Sequence, residues 1–392
     1  MSEVRVNNLS NENNTGGPTI SGITTYSGRH FFVPPQGDTA SRPSDCEPGS
    51  LRFNTDSAKL EYFRGDILGW TEIDAELTAP LGGGTGSNAG VGVRGLIHGG
   101  NISSSNAYIN NIDYLTLSTF GNTQDFGDMN VTRRHRQSIC NYTRLVIPGG
   151  FNGSGYMDEI SFVNIHSTGN ASDFGDLIGN KFGAGTVNNK TRGIIGSGQN
   201  SDSSPYYTNV IEYVTIAQTG NGVDFGDSDS GGRACKGCSS STRGLFGNDG
   251  FSPAEVIFIT MSTLGNASDF GNVEGHRAGG GGASSATRCI WSGNYFGNNI
   301  SYMTMATLGN SIDFGDLDVS RDDPTGMSSP TRGVIACGRH IPSYRVISSM
   351  SAIEIATTGN AVDFGDITYL GDGSDNNENS GAAANGHGGL SG

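Results

Sequence analysis

The chain has 392 residues, 38 acidic against 23 basic side chains, a formal net charge of −15, and 63 glycines, about twice the usual share. That balance argues against nucleic acid as a ligand, since phosphate binding is carried by Lys and Arg. No stretch of a dozen residues has helical periodicity and no apolar run could span a bilayer, so the sequence predicts an all-β chain without membrane insertion.

Residues 1–29 are polar and Asn-rich, with Gly16-Gly17-Pro18, and have too little apolar surface to fold alone. They are expected to be an extended N-terminal anchoring arm, and they lack the charged start and apolar core of a secretory signal. Residues 30–80 read as a small β-hairpin module: Gly49 to Phe63 forms a hairpin turning at Asn54 to Ala58, and Gly69 to Ile73 adds a strand. Residues 81–92, with Gly82-Gly83-Gly84, read as a Gly-rich joint.

From residue 93 to 392 one pattern repeats. Gly-Asn pairs begin at Gly121, Gly169, Gly220, Gly265, Gly309 and Gly359, spaced 48, 51, 45, 44 and 50 residues apart. Each is followed by Asp-Phe-Gly, at Asp125-Phe126, Asp173-Phe174, Asp224-Phe225, Asp269-Phe270, Asp313-Phe314 and Asp363-Phe364. Each is preceded by an Arg (Arg94, Arg144, Arg192, Arg243, Arg288, Arg332) that opens a short apolar run. Between Arg and Gly-Asn lies an alternating stretch such as Ile112, Tyr114, Thr116, or the degraded Met350, Ala352, Glu354, which predicts a half-buried strand. With the Phe-bearing strand and a Gly/Ser-rich one, the unit has four short antiparallel strands, the content of a propeller blade. Six units predict a six-bladed β-propeller. Only a weak Gly-rich strand precedes Arg94, so the tail Gly381 to His387 is expected to supply the missing strand of the first blade. The Gly-ended second strand is similar to the kelch class of propeller, without the tryptophan those repeats usually carry.

Pro48-Gly-Ser-Leu-Arg-Phe-Asn-Thr55, Lys59-Leu-Glu-Tyr-Phe63 and Gly69-Trp-Thr-Glu-Ile73 are similar to short β modules of tail-fibre and other virion proteins of tailed bacteriophages. Arg5-Val-Asn-Asn8 with Gly16-Gly-Pro-Thr-Ile20 resembles the starts of structural proteins of marine cyanobacterial phages, and the Thr-Gly-Asn-Ala-x-Asp-Phe-Gly-Asp repeat looks like a propeller repeat of such proteins. The resemblance implies a virion protein assembled in the host cytoplasm and anchored to other virion proteins through residues 1–80. It also implies a C-terminal domain displayed outward, often as a homo-oligomer such as a trimer.

Asp-Phe-Gly is also the metal-binding tripeptide of protein kinases, but six copies at blade spacing exclude that reading. The repeated Asp residues are expected to cap turns by accepting backbone N–H bonds, and the repeated Arg to bond carbonyls or a carboxylate between adjacent blades. Calcium at Asp128, Asp176, Asp227, Asp316 and Asp366 is an alternative, since oxygen-rich turns suit a hard cation, although Asn272 stands in the fourth repeat. Cys235-Lys-Gly-Cys238 has the spacing of half a zinc site without a second pair. No cofactor or metal is therefore expected. Arg133-Arg134-His135-Arg136, the one local basic run, reads as a solvated loop or an interblade contact.

Three functions compete. In the first, a non-enzymatic phage fibre or appendage protein contacts a host-surface glycan or protein through loops that break the repeat, at Tyr206-Tyr207, Asn294-Tyr295-Phe296 and Ile341 to Tyr344. The second is structural decoration of capsid, neck or baseplate. The third, a carbohydrate-cleaving propeller, needs converging carboxylates, whereas Glu159, Glu212, Glu255 and Glu354 fall in or beside the repeated strand.

Overall fold

The computed structural model describes residues 34–57, 59–72, 93–102, 107–134, 138–202, 204–229, 232, 234–248, 254–273, 280–294, 297–340, 345–368, 377–378 and 380–390. The expected arm, the Gly-rich joint 81–92, and the loop residues Tyr295, Phe296 and Tyr344 lie outside the described residues. The chain forms two compact units, Met1–Glu76 and Leu77–Gly392.

In the first unit, Leu51–Asn54 pairs antiparallel with Lys59–Phe63, which pairs with Trp70–Glu72, and Gln36–Gly37 adds a parallel strand at the edge. Its small core holds a charge. Glu61 is fully buried and takes an ion pair from Arg42 at 2.6 Å and another from Arg52 at 3.4 Å.

The second unit is built of four-stranded antiparallel sheets, six among the described residues. Sheet 1 is Gly381–Ala384, Arg94–His98, Asn111–Thr116 and Gln124–Asp128. Sheet 2 is Ile139–Cys140, Arg144–Phe151, Tyr156–Asn164 and Ser172–Asp176, and sheet 3 is Thr186–Asn188, Arg192–Ile195, Val210–Thr215 and Val223–Asp227. Sheet 4 is Ala234–Ser239, Arg243–Asn248, Ala254–Thr260 and Ser268–Val273. Sheet 5 is Gly281–Ser284, Arg288–Asn294, Gly297–Thr304 and Ile312–Asp316, and sheet 6 is Thr325–Ser328, Arg332–Ala336, Ser349–Glu354 and Val362–Asp366. The architecture is all-β and propeller-like.

Third strands are buried on both faces, not one: Ile112, Asp113 and Leu115 all lie inside. A sheet with a neighbour on each side has no solvent face. The core is accordingly divided into six clusters, each spanning one junction. Phe126 and Ile112 of sheet 1 meet Leu145 and Val163 of sheet 2, and so on round to Val334 and Phe364 of sheet 6, which meet Ile97 and Leu115 of sheet 1.

The repeated motif is a clasp between neighbouring sheets. In sheet 5, Ile300 pairs with Gly315 but Ser301 with Asp313, so Phe314 is left unpaired in a β-bulge, and all six sheets share this shift. A bulge re-aims one side chain. Here it turns Phe314 into the core while Gly315, at φ +144°, takes the strained conformation. The freed Phe carbonyl accepts from the Gly N–H of the next Gly-Asn pair: Phe126 from Gly169, Phe174 from Gly220, Phe225 from Gly265, Phe270 from Gly309, Phe314 from Gly359 and Phe364 from Gly121. The Asn side chain completes the clasp. Asn170 Oδ1 accepts the Asp128 N–H at 3.1 Å, and at the last junction Asn122 Oδ1 accepts that of Asp366 at 3.0 Å.

This corrects the role predicted for Asp125, Asp173, Asp224, Asp269, Asp313 and Asp363. All six are exposed, and among the described residues only Asp269 accepts such a bond, from the Gly271 N–H. Asn is the acceptor because its amide reaches the neighbouring strand without bringing a charge.

A Cβ on Gly315 would meet the Gly359 oxygen at 2.5 Å, whereas one on Gly309, at φ +148°, would meet nothing within 4 Å. Both substitutions to Ala strain the backbone, but only Gly315→Ala also opens the clasp. We expect Gly309→Ala to cost about 1–2 kcal/mol and Gly315→Ala about 2 kcal/mol more in urea unfolding. Equal costs would show that close approach at the clasp is unimportant.

The repeated Arg makes the second tie. Arg94 donates to the Ile165 carbonyl, Arg144 to Ile216, Arg192 to Met261, Arg243 to Met305, Arg288 to Ile355 and Arg332 to Leu117, all at 2.8–3.0 Å. Each bond runs to the next sheet, and the last runs from sheet 6 to sheet 1. In five sheets the guanidinium also lies over the third-strand aromatic, as with Arg94 over Tyr114 at 4.5 Å. In the sixth, Ala352 leaves no ring, and Phe120 of the sheet 1 turn takes its place under Arg332 at 4.7 Å and packs on Phe364. The same gap leaves a groove of about 200 Å³ beside Phe120, Ala352 and Glu354.

Candidate binding face

Antiparallel order sends two kinds of connection to opposite ends of the sheets, and the two ends differ. Turns between first and second strands are three residues long in sheets 2 to 6, and turns between third and fourth strands are seven residues long in all six. Connections between second and third strands run 12, 4, 14, 5, 2 and 12 residues. The uniform turns carry the scaffold bonds. Asn141 Oδ1 accepts the N–H groups of Thr143 and Arg144, and Asn189, Ser240, Ser285 and Ser329 repeat the device in sheets 3 to 6. Sheet 1 reproduces it across 291 residues of chain, where Asn385 Oδ1 accepts the Arg94 N–H at 2.8 Å.

Between the first strands runs a narrow polar space of about 30 Å³, lined by Ser138, Thr186, Ser239, Ser284, Ser328 and Ala383 among others. That is room for about one water. At the turn end it meets the tail. Gly388–Leu390 forms a 3₁₀ turn, Tyr142 donates its hydroxyl to the Leu390 carbonyl, and His387 Nε2 sits 2.8 Å from the Cys140 carbonyl. Burial lowers the His387 pKa to about 4, only partly opposed by the Cys140 bond.

Released, the ring protonates near pH 6.5; packed, it stays neutral until about pH 4. Its contribution is therefore present above pH 6.5 and is lost as pH falls from 6.5 toward 4. Part of the ring still meets solvent, so we expect about 2 kcal/mol to be lost over that window. Urea unfolding between pH 7 and 4.5 tests this, with His387→Gln expected to flatten the dependence.

The variable end carries the candidate ligand residues. Tyr206 and Tyr207 lie in the long sheet 3 connection, where Tyr207–Thr208 pairs with Gly198–Gln199, and the two residues are 48% and 37% exposed. Residues 295–296 and 341–344 belong by sequence to the equivalent connections of sheets 5 and 6. Tyr206 and Tyr207, the candidates among the described residues, thus fall on a connection at one end.

A cluster that the sequence reading missed gathers on the same end. Arg134 lies between sheets 1 and 2, and its guanidinium sits 5.9 Å from the Tyr108 ring, 5.0 Å from Phe151 and 4.9 Å from Phe182. Tyr156 packs on Phe151 at 5.2 Å, receives a hydrogen bond from Gln199 Nε2, and donates to Asp202. Arg133, from the same basic run, is fully buried instead and donates to the carbonyls of Gly149 and Glu159. Its counterparts are Lys181, paired with Glu212 at 2.6 Å, and Arg321, bonded to Ser349 and Ser351. Each stands eight residues after the Asp of an Asp-Phe-Gly, a spacing that could have been read from the sequence.

Among the described residues no group of three or more potential metal ligands occurs. Cys238 is buried in the sheet 4–5 cluster with its thiol directed at the carbonyls of Ala283 and Ile290, and the Cys235 side chain lies outside the described residues. Glu159, Glu212, Glu255 and Glu354 belong to four different sheets.

No family model matches the chain, and no curated protein does. Among solved structures it is similar to that of YjhT, with a TM-score of 0.53 and 11% identity over 65% of this chain and 91% of that one. At that identity the likeness speaks to fold alone, a propeller-like all-β architecture.

Proposed function

We propose that the chain is a non-enzymatic virion structural protein of a tailed phage, of the tail-fibre or appendage type. Residues 1–80 anchor it to other virion proteins, and a closed six-bladed kelch-like propeller displays its variable end to a host-surface glycan. The observation that carries the reading is the contrast in length between the two ends: turns of constant length on one, connections of 2 to 14 residues on the other, the longest of them bearing exposed Tyr206 and Tyr207. A scaffold repeated six times serves the ring, and function belongs where the repeat breaks. Closure is supported by two bond patterns, clasp and Arg tie, each of which runs from sheet 6 back to sheet 1.

Gold labelling of intact particles with an antibody against residues 77–392 tests the assignment. Label on fibres or tail tip is the expected result. Label over the capsid would make decoration the function, and absence of label would remove the virion reading.

A further inference from the structure

Every sheltered arginine described in this chain but one has a polar partner. The six repeated arginines bond carbonyls, Arg133 and Arg321 each bond several oxygens, Arg42 and Arg52 share Glu61, and Arg339 pairs with Asp322. The exception is Arg134. Its Nε is buried without a hydrogen-bond partner, as are those of Arg94, Arg133, Arg321 and Arg339, but unlike theirs its Nη groups make no hydrogen bond or ion pair with a described residue. This holds in a chain whose acidic residues outnumber its basic ones by 38 to 23. The residues that follow it in sequence, His135-Arg136-Gln137, include no Asp or Glu. Withholding a partner from a partly desolvated cation is costly for a scaffold and useful for a site.

The group is also held in place. Arg134 and Phe151 exchange both main-chain hydrogen bonds, at 3.0 and 3.1 Å, which fixes the Cα from which the side chain extends. Three rings from three parts of the chain then fix the guanidinium: Tyr108 from the long sheet 1 connection, Phe151 from the end of the second strand of sheet 2 and Phe182 from the segment leading to sheet 3. Stacking leaves the edge of a guanidinium, where its N–H groups point, available to an oxyanion in the plane. A planar fork offering parallel N–H bonds suits a carboxylate. Around it, Tyr156, Gln199 and Asp202 form a hydrogen-bonded chain of the kind that recognises hydroxyl groups, and exposed Tyr206 and Tyr207 follow in the same connection.

We infer that Arg134 is the specificity-determining residue of a site for a carboxylate-bearing saccharide, a uronate, at the variable end between sheets 1, 2 and 3. The guanidinium takes the carboxylate, the half-exposed faces of Tyr108 and Tyr156 take the apolar face of the sugar ring, and Gln199 and Asp202 take its hydroxyls. The inference rests on the binding reading above and narrows its ligand from glycans in general to acidic ones.

The full chain titrated calorimetrically with oligogalacturonate, with the same oligomer methyl-esterified, and with sodium acetate provides the test. The free acid is expected to bind, the ester at least tenfold more weakly, and acetate not to displace the oligomer at matched carboxylate concentration. Binding of the acid should weaken as salt is raised. Arg134→Gln should lose at least tenfold for the acid and nothing for the ester, with an unchanged melting temperature; should it fail to fold, the acid-to-ester ratio on the unmutated chain decides. Equal binding of acid and ester, or an Arg134→Gln variant that binds the acid normally, overturns the inference. Displacement by acetate reduces the site to a simple anion site and overturns the saccharide. A chain that adheres to host cells or neutral glycans but not to the uronate loses the inference and keeps the binding function, whereas one that adheres to neither loses both.

Discussion

A chain ending at residue 379 is expected to lose its cooperative fold or to melt far below the full-length protein. The tail is short, but what it does cannot be supplied elsewhere. Gly381–Ala384 pairs with Arg94–His98 in the register Gly381 to His98 through Ala384 to Gly95, Asn385 makes the turn bond to Arg94, and Leu390 is buried at the end of the central space. Without them sheet 1 has a bare edge, Ile97 and Leu96 lose the cover of Ala382 and Ala383, and the clusters on both sides of sheet 1 open. Open edges also pair with other chains. Loss on the order of 5 kcal/mol or more, against a total of about 5–15 kcal/mol for a typical domain, leaves little or no folded population. Thermal and urea unfolding of the truncated chain measure this, and a synthetic peptide of residues 377–392 should restore part of the stability by strand addition. A truncated chain melting within a few degrees of the full one would mean that closure at sheet 1 contributes little.

The next largest effect is expected at Glu212. Its carboxylate is fully buried, 2.6 Å from the Lys181 ammonium, and also accepts the Ile178 N–H at 2.8 Å. Lys181 is itself buried and donates to the Val210 carbonyl; burial lowers its pKa, and Glu212 acts against that burial. Glu212→Ala therefore strands a cation in the junction between sheets 2 and 3 and orphans a backbone donor. A cost of about 3–5 kcal/mol follows, read as a fall in the urea midpoint. Replacing both partners, Lys181→Met with Glu212→Leu, should recover most of the loss, because no uncompensated charge remains. If the double variant is as unstable as the single one, the pair is specifying geometry and not merely cancelling its own desolvation.

The repeat was legible because its residues obey constraints that act within a few positions. Gly at φ near +144° and a Phe turned inward by a bulge must be adjacent, so Asp-Phe-Gly recurs as a unit. The Arg tie was legible for a similar reason, since a group present in every sheet serves the contact between sheets. What the sequence concealed is pairing between distant segments. Asp and Asn both suit turns, and only the distance across the junction shows that Asn170 or Asn122 is the acceptor while the Asp carboxylates face solvent. The substitution of Phe120 for a ring missing at position 352 joins residues 232 apart in the chain and leaves no local trace. Tyr108, Arg134, Phe151 and Phe182 are likewise ordinary in their own segments and become a cluster only when distant segments converge.

The central claim is that the variable end binds and the uniform end supports. Adsorption of the full-length chain to host cells, compared between a variant carrying Tyr206→Ala and Tyr207→Ala and one carrying Thr143→Ala and Thr191→Ala, tests it most directly. The account predicts that the tyrosine variant loses adsorption at an unchanged melting temperature while the threonine variant, altered in the uniform turns, adsorbs normally. Adsorption that survives the loss of both tyrosines but falls with the threonines would place the binding surface on the opposite end and contradict it.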